Sequence, residues 1–259
     1  MTRNIALLLS YDGTNYHGWQ TQANSVSIQS VLADAATSLF NESIKITGCG
    51  RTDTGVHAKK YVASLRTTSN ISVDRIPYAL SSMLPNDISI MAACVVPENF
   101  HPTHSCIKKE YTYYLYNTLT KNPFLNQRAL HYRYNFDVDK VQSAAQHFIG
   151  EHDFASMRSL GTPVKSTVRT IYECTVSKKD DLVSIKISAN GFLYNMARTI
   201  VGTLLDVASG KTAPNDITGI LNNCDRKLAG ATAPAYGLYM TDVVYPKCFN
   251  LPDAFYGGF

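Results

Sequence analysis

The sequence has no long apolar run, and this absence argues against a helical membrane protein. No stretch approaches the ~20 apolar residues that a helix needs to cross a bilayer. The apolar run Ile5–Leu9 is too short for the core of a signal peptide, and it leads directly into Asp12 and Gly13. We therefore expect a cytoplasmic protein with no membrane partner.

The motifs of metal and nucleotide sites are also missing. The six cysteines form no C-x-x-C pair, which argues against a zinc site. No phosphate-binding P-loop pattern and no low-complexity tract is present. We expect neither a metal ion nor a cofactor.

The chain does contain enough apolar material for a sizeable core. Of its 259 residues, 45% are hydrophobic and 17% are charged, which suits two domains of ordinary size or one large domain. The formal net charge of +4 permits a polyanionic partner without establishing one.

Hydrophobic periodicity predicts the same order of elements in both halves of the chain. The first half shows strand patterns at Asn4–Tyr11, Ser43–Gly48, Tyr61–Thr67 and Asp87–Val96, and helix patterns at Ser25–Phe40 and Asp74–Leu84. The second half shows strand patterns at Glu110–Asn117, Arg169–Ser177, Leu182–Ala189 and Gly237–Tyr245, and helix patterns at Asp137–Ile149, Phe192–Ser209 and Pro214–Asn223.

Each half therefore reads β-α-β-β-α-β, the order of a ferredoxin-like or RRM-like domain. This predicts an α/β (α+β) protein of two lobes with antiparallel sheets. We place the boundary in Pro97–Ser105, a segment with two prolines and little periodicity. The predicted lobes are 1–103 and 104–259, with an active-site cleft between them.

The most informative segment is the glycine-rich loop GCGRTDTGVHA, Gly48–Ala58, which holds Arg51, Asp53 and His57. Glycines allow positive φ and a close approach of the backbone to a ligand. From the residues alone, the favoured interpretation is that Asp53 caps backbone N–H groups in a tight turn and pairs with Arg51, because loop aspartates are usually caps. The neighbouring acids along the chain are Glu42 and Asp74, so Asp53 lacks the clustered carboxylates of a metal-dependent nuclease or phosphatase.

This loop closely resembles the signature GAGRTDxGVHA of the tRNA pseudouridine synthase A (TruA) family, with Cys49 where alanine is common. Further motifs of that family are matched in order across nearly the whole chain: YDGTNYHGWQTQ (Tyr11–Gln22), NFHPTHSCIKKEYTYYLYN (Asn99–Asn117), HDFASMR (His152–Arg158), NGFLYNMARTIVG (Asn190–Gly202) and TAPAYGLYM (Thr232–Met240). The family commonly has an arginine in FHxRFS, where this chain has Thr103 and His104, and one expected RNA contact is therefore in doubt.

The resemblance implies an isomerase that converts uridine to pseudouridine, with Asp53 as the essential catalytic residue. The C1′–N1 bond breaks, the uracil turns, and C5 joins C1′, so that positive charge develops at C1′ much as in glycoside hydrolysis. A carboxylate beside C1′ can stabilise or trap that centre and relay a proton. No redox step occurs, which agrees with the expected lack of a cofactor.

The resemblance also implies the residues that hold the base and the RNA. Tyr111 would stack on the target uracil and Leu238 would pack against it; locally, a strand tyrosine and a plain core leucine are the alternatives. Arg51 would contact RNA near the extruded base, and Arg198 would pair with Asp53; an ion pair within the loop and a solvated helix arginine are the alternatives. Phosphate contacts are expected from basic residues that could also be plain surface charges: Lys108, Lys109, Arg158 and Lys165.

The expected substrates are uridines 38, 39 and 40 in the anticodon stem-loop of tRNA, and the expected assembly is a homodimer. Both follow from the resemblance alone. The main alternative is a non-catalytic RNA-binding protein with two RRM-like lobes. It explains the topology and the tyrosine-rich strand, but it does not explain the loop around Asp53, and no RNP1 pattern is present.

Overall fold

The computed structural model describes residues 1–159, 161 and 163–257. They divide into two compact units. Unit 1 comprises Met1–Lys109 together with the C-terminal segment from Tyr239, and unit 2 comprises Glu110–Leu238.

In chain order the longer elements are strand β1 (Arg3–Tyr11), helix α1 (Ile28–Phe40), β2 (Thr47–Gly48), β3 (His57–Thr67), α2 (Ile76–Met83), β4 (Ile88–Val96), β5 (Lys108–Tyr116), β6 (Leu130–His131), α3 (Val138–Gln146), β7 (Gly150–Asp153), β8 (Val168–Lys179), β9 (Leu182–Ala189), α4 (Met196–Ala208), α5 (Asp216–Asn223) and β10 (Leu238–Val244). Short 3-10 turns lie between several of them. No helix in the described part of the chain is both long and apolar enough to span a membrane.

The sheet of unit 1 has the strand order β4-β1-β3-β10, with the short strand β2 also paired to β3. Strand β1 is antiparallel to both of its neighbours, and Ile5–Leu9 are all at most 1% exposed. A strand covered on both faces needs a continuous apolar run, and this one has it.

Strand β10 joins this sheet from the far end of the sequence. It runs parallel to β3 through the pair Tyr239↔His57. The buried Lys60 of β3 donates to Asp242 Oδ1 of β10 at 2.6 Å and to the Gly257 carbonyl oxygen at 3.1 Å. A buried ammonium is tolerated because these acceptors replace its water shell.

In unit 2 the strands follow the order β5-β9-β8-β7, and β6 pairs in parallel with the end of β5. Strands β8 and β9 form an antiparallel hairpin that closes at Lys179↔Leu182. Its turn residue Asp180 has φ +52°, a conformation that aspartate tolerates better than most residues. Helix α4 supplies much of the core of this unit, with Ile200, Val201 and Leu204 fully buried.

The predicted mixed α/β class and the mostly antiparallel pairing are confirmed. The first half shows the predicted β-α-β-β-α-β order, whereas the second half also contains the short strands β6 and β7 and the helix α5, and its last strand, β10, lies in the sheet of unit 1. The predicted strand Ser43–Gly48 is too long. The backbone of Ile44 and Ile46 is hydrogen-bonded to side chains of α1 instead of to a neighbouring strand. Thr37 Oγ1 accepts from the Ile44 N–H, and Gln29 Nε2 donates to the Ile46 carbonyl oxygen. Only Thr47–Gly48 remains to pair with β3.

Two helix boundaries also differ from the prediction. Helix α4 begins at Met196 rather than Phe192, because Asn195 adopts a left-handed conformation with φ 60°. Helix α3 ends at Gln146 instead of reaching Ile149, and Gly150, predicted as a stop, opens strand β7. Strands β6 and β7 are too short for periodicity to reveal.

The division into units lies at Lys109/Glu110, whereas the sequence pattern places the lobe boundary in Pro97–Ser105. The C-terminal strand also belongs to unit 1 rather than to the second lobe. A parallel pairing between distant segments leaves no local signal in the sequence, so a boundary drawn from local composition does not include it.

Candidate active site

Asp53 lies in the loop that connects β2 to β3, and its side chain is half-exposed. The Val56 N–H donates to the Asp53 carbonyl oxygen at 3.1 Å, which closes a turn around Gly55, whose φ is +78°. The turn therefore holds the backbone of Asp53 through main-chain atoms.

The segment that follows β1 lies against this loop. The Trp19 N–H donates to the Thr52 carbonyl oxygen at 3.1 Å, and the Gly55 N–H donates to the Tyr16 carbonyl oxygen at 3.3 Å. At Gly18, with φ +82°, a Cβ atom would lie 2.3 Å from the Thr52 oxygen. Only glycine permits this approach of the two backbones.

Aromatic side chains support the loop from within unit 1. The Trp19 ring stacks on Tyr61 with centroids 4.1 Å apart, and the Tyr61 hydroxyl bonds to the Gly50 backbone. The Tyr11 hydroxyl lies 2.9 Å from Thr52 Oγ1, and burial raises the pKa of Tyr11 well above its usual value. The aromatic residues that support the loop are therefore uncharged, and Trp19 is a buried structural residue.

Two of the predicted cations belong to this loop region. Arg51 is exposed within the loop, and Lys109 Nζ lies against Gly50, 3.2 Å from where a Cβ atom of that glycine would be. Burial raises the pKa of the neighbouring Cys49 thiol to about 12. Cys49 is therefore a neutral packing residue rather than a nucleophile.

Two further residues anchor the ends of the loop. Thr103, which stands near the position of the missing family arginine, donates from Oγ1 to the Gly48 carbonyl oxygen at 2.7 Å. At the other end, His57 is 2% exposed, and its Nδ1 accepts from the Gly13 N–H at 3.1 Å. The His57 ring also stacks on Tyr239 with centroids 4.5 Å apart. His57 thus has a structural role at this end of the loop.

Most of the other predicted residues lie in unit 2, whereas Lys108 lies in unit 1 at the start of β5. Tyr111 is 7% exposed and meets Phe192 edge-on, with ring centroids 4.9 Å apart. Leu238 is 5% exposed and opens β10. Arg158 ends a short 3-10 turn and is half-exposed. The burial of Tyr111 and Leu238 agrees with both a base-binding and a core role.

Arg198 lies in the first turn of α4 and is held on two sides. Its Nε donates to the Ala233 carbonyl oxygen at 2.7 Å, and its Nη1 donates to Asn195 Oδ1 at 2.8 Å. Asn195 in turn donates to Ser159 Oγ at 2.9 Å. These contacts contradict the alternative of a solvated helix arginine, while the pairing with Asp53 stays a prediction.

No group of three His, Cys, Asp or Glu side chains that could hold a metal ion occurs among residues 1–159, 161 and 163–257.

A family model described as tRNA pseudouridine synthase matches residues 8–105 and 144–246. The chain belongs to the tRNA pseudouridine synthase family. The tRNA pseudouridine synthase A of Ruminiclostridium cellulolyticum is 46% identical over 244 residues, covering 94% of this chain and 100% of that relative. The enzymes of the same name from Caldicellulosiruptor bescii and Thermoanaerobacter sp. are 45% and 42% identical over 243 residues, with the same coverage.

Among solved structures, a Cbf5-Nop10-Gar1 complex resembles this chain at a TM-score of 0.38 and 13% identity, over 91% of this chain and 57% of that one. This likeness is too weak to bear on the fold or the function.

The tRNA pseudouridine synthase match includes most of the predicted site residues: Arg51, Asp53, Arg158, Arg198 and Leu238. Lys109 and Tyr111 lie between the two matched stretches. The curated relatives span this gap, because they align over 94% of the chain.

Proposed function

We propose that this protein isomerises uridine to pseudouridine at positions 38, 39 and 40 in the anticodon stem-loop of tRNA. The observation that carries the proposal is the family match around Asp53. The protein is an isomerase that acts on tRNA uridine. The finer choice of positions is supported by the shared name of the relatives and by the motif resemblance. A non-catalytic RNA-binding protein would not require this loop.

Asp53 is the catalytic carboxylate. Breaking the C1′–N1 bond leaves positive charge at C1′, and a carboxylate within reach can attack that carbon, attack the uracil ring or remove a sugar proton. Each of these routes requires the ionised form and a fixed approach direction. The main-chain bonds of Thr52, Asp53 and Gly55 supply that fixation.

Tyr111 and Leu238 hold the uracil, and the cations bind the RNA chain. Tyr111 presents a ring in largely apolar surroundings, where stacking on a base is worth about 1–3 kcal/mol. Arg51, Lys109 and Arg158 contact phosphates, a role that suits half-exposed and exposed cations. Arg198 orients Asp53, and its two bonds to Ala233 and Asn195 fix its guanidinium for that task.

The direct test is to incubate the protein with unmodified tRNA transcripts and map pseudouridine at every position. We expect new pseudouridine at 38, 39 or 40 in transcripts that carry uridine there. Modification confined to another region of the tRNA would refute the anticodon assignment but not the isomerase activity. A complete lack of pseudouridine would refute the function.

We also propose a homodimer, no required cofactor and a cytoplasmic location. The family resemblance supports the homodimer, and light scattering of the purified protein tests it, with a monomer as the contrary result. All six cysteines are free, which suits a reducing compartment. The reaction moves neither electrons to an acceptor nor a phosphoryl group, and the described part of the chain contains no cluster of metal-ligating side chains. We therefore expect activity to survive an excess of chelator; a loss of activity that added metal restores would contradict this.

If Arg51 and Lys109 contact phosphates, each should contribute to the salt dependence of tRNA affinity. In a plot of log affinity for tRNA against log salt, each variant Arg51→Ala and Lys109→Ala should reduce the slope by about one. Arg75→Ala is the matched control, since Arg75 is an exposed arginine of unit 1 at the start of α2. Slopes equal to wild type in both loop variants would place the RNA path elsewhere.

Tyr111 offers a second test, because Tyr111→Phe keeps the ring and removes the hydroxyl. We expect Tyr111→Phe to bind tRNA like wild type and Tyr111→Ala to bind about 10- to 100-fold more weakly, the equivalent of one stacked base. Lost turnover in Tyr111→Phe would give the hydroxyl a chemical role. Tyr172→Phe and Tyr172→Ala, at an exposed position of β8, are the controls. Full activity in both Tyr111 variants would leave this residue a purely structural one.

A further inference from the structure

Arg226 binds one irregular segment of unit 2 through several donors. Its Nη1 donates to the Gly230 carbonyl oxygen at 2.9 Å and to the Ala229 carbonyl oxygen at 3.3 Å. Its Nη2 donates to Thr232 Oγ1 at 3.1 Å. Backbone outside helices and strands needs such partners for its carbonyl groups, and a planar guanidinium supplies several in a fixed geometry.

The same segment lies directly on helix α4. A Cβ atom at Gly202 would lie 1.6 Å from the Ala231 carbonyl oxygen, so the two backbones touch there. The Gly230 N–H donates to Thr203 Oγ1 at 3.0 Å, which adds a bond between the segment and the helix. The position of the segment on α4 is therefore tightly defined.

Ala233, the residue that follows Thr232, contacts Arg198. The Ala233 N–H donates to the Arg198 carbonyl oxygen at 3.1 Å, and the Ala233 carbonyl oxygen accepts from Arg198 Nε at 2.7 Å. A rotation of the peptide at Ala233 would turn the acceptor of Nε and move the guanidinium with it. Arg226 bonds to Thr232, the residue immediately before.

We infer that Arg226 is a positioning residue for pseudouridine formation, acting on Arg198 through the segment Ala229–Ala233. The inference rests on the proposed function, in which Arg198 orients Asp53. In this role Arg226 acts through its bonds to Ala229, Gly230 and Thr232 and need not touch the substrate itself. Its effect belongs to the chemical step, because a misplacement of about 1 Å in a catalytic group can cost about 100-fold in rate.

The test compares Arg226→Gln, Arg226→Ala and Lys227→Ala. Lys227 is the exposed neighbour in the same 3-10 turn and serves as the matched control. We expect both Arg226 variants to lose about 10- to 100-fold in kcat with unchanged KM and unchanged affinity for tRNA. Lys227→Ala should retain wild-type kcat.

Chemical rescue separates positioning from general destabilisation. Free guanidinium at non-denaturing concentration should restore part of the kcat of Arg226→Ala, whereas methylammonium should not, because it lacks the planar fork. If Arg226→Gln and Arg226→Ala do not fold, Thr232→Val removes only the hydroxyl that accepts from Nη2 and should lower kcat with KM unchanged.

Three outcomes are distinguishable. Wild-type protein that makes no pseudouridine refutes the proposed function itself. Active wild-type protein with an equally active Arg198→Ala variant refutes the role of Arg198 and, with it, the inference. Active wild-type protein, an impaired Arg198→Ala variant and wild-type kcat in both Arg226 variants refute the inference alone.

Discussion

Replacing Asp53 with Asn is expected to abolish pseudouridine formation while leaving the fold and tRNA binding intact. The substitution removes one negative charge and barely changes volume. The main-chain bond from the Val56 N–H to the Asp53 carbonyl oxygen does not involve the carboxylate, so the turn should survive. Loss of a group that stabilises charge and relays a proton costs about 10²–10⁴-fold or more.

The measurement pairs tRNA affinity by filter binding with tritium release from C5 of uridine. Binding should equal or exceed that of wild type, because a carboxylate near RNA repels phosphate. Asp34→Asn, at an exposed position of α1, is the charge-matched control and should remain fully active. Substantial tritium release by a sequence-verified Asp53→Asn sample would remove Asp53 from the mechanism.

The second large effect is expected from Gly18→Ala, which should destabilise unit 1 and remove activity. Alanine at φ +82° is strained, and its Cβ would lie 2.3 Å from the Thr52 carbonyl oxygen, next to Asp53. The left-handed conformation and the overpacking together should cost about 2–5 kcal/mol. The two backbones must separate, and the loop that carries Asp53 moves with them.

Urea unfolding and tRNA turnover measure this effect, with Gly219→Ala as the control. Gly219 lies inside α5, and a Cβ atom there would have nothing within 4 Å. Alanine at that helical position should stabilise the protein by roughly 0.5–1 kcal/mol. A Gly18→Ala variant as stable and as active as wild type would show that the contact with Thr52 is dispensable.

Local patterns in the sequence predict most of the helices and strands. The capped helix Ile28–Phe40 and the hairpin at Lys179↔Leu182 follow from periodicity and turn residues close in sequence. The shortened strand β2 could not be predicted, because the side chains of Thr37 and Gln29 compete for its backbone. The parallel pairing of β10 with β3 depends on residues far apart in the chain.

The candidate site likewise contains residues that the sequence predicts and residues that it does not. Asp53 could be named from its loop once the family was recognised, because its neighbours in sequence form the motif. The roles of Thr103 and Arg226 could not be predicted from the sequence, since each donates to a backbone carbonyl group whose position only the folded chain defines. Gly18 carried a partial signal, as a glycine inside the YDGTNYHGWQTQ motif.

The pairing of β10 with β3 has a consequence for synthesis. Between the end of β3 at Thr67 and the start of β10 at Leu238 lie 170 residues, and the ribosome delivers almost all of unit 2 in this interval. Closing a loop of that length is slow relative to local pairing, although its entropy grows only logarithmically with length. Until β10 emerges, a nascent chain exposes an open edge at β3 and leaves Lys60 without Asp242. The sheet that carries the Asp53 loop is therefore completed only after the whole of unit 2 has been synthesised.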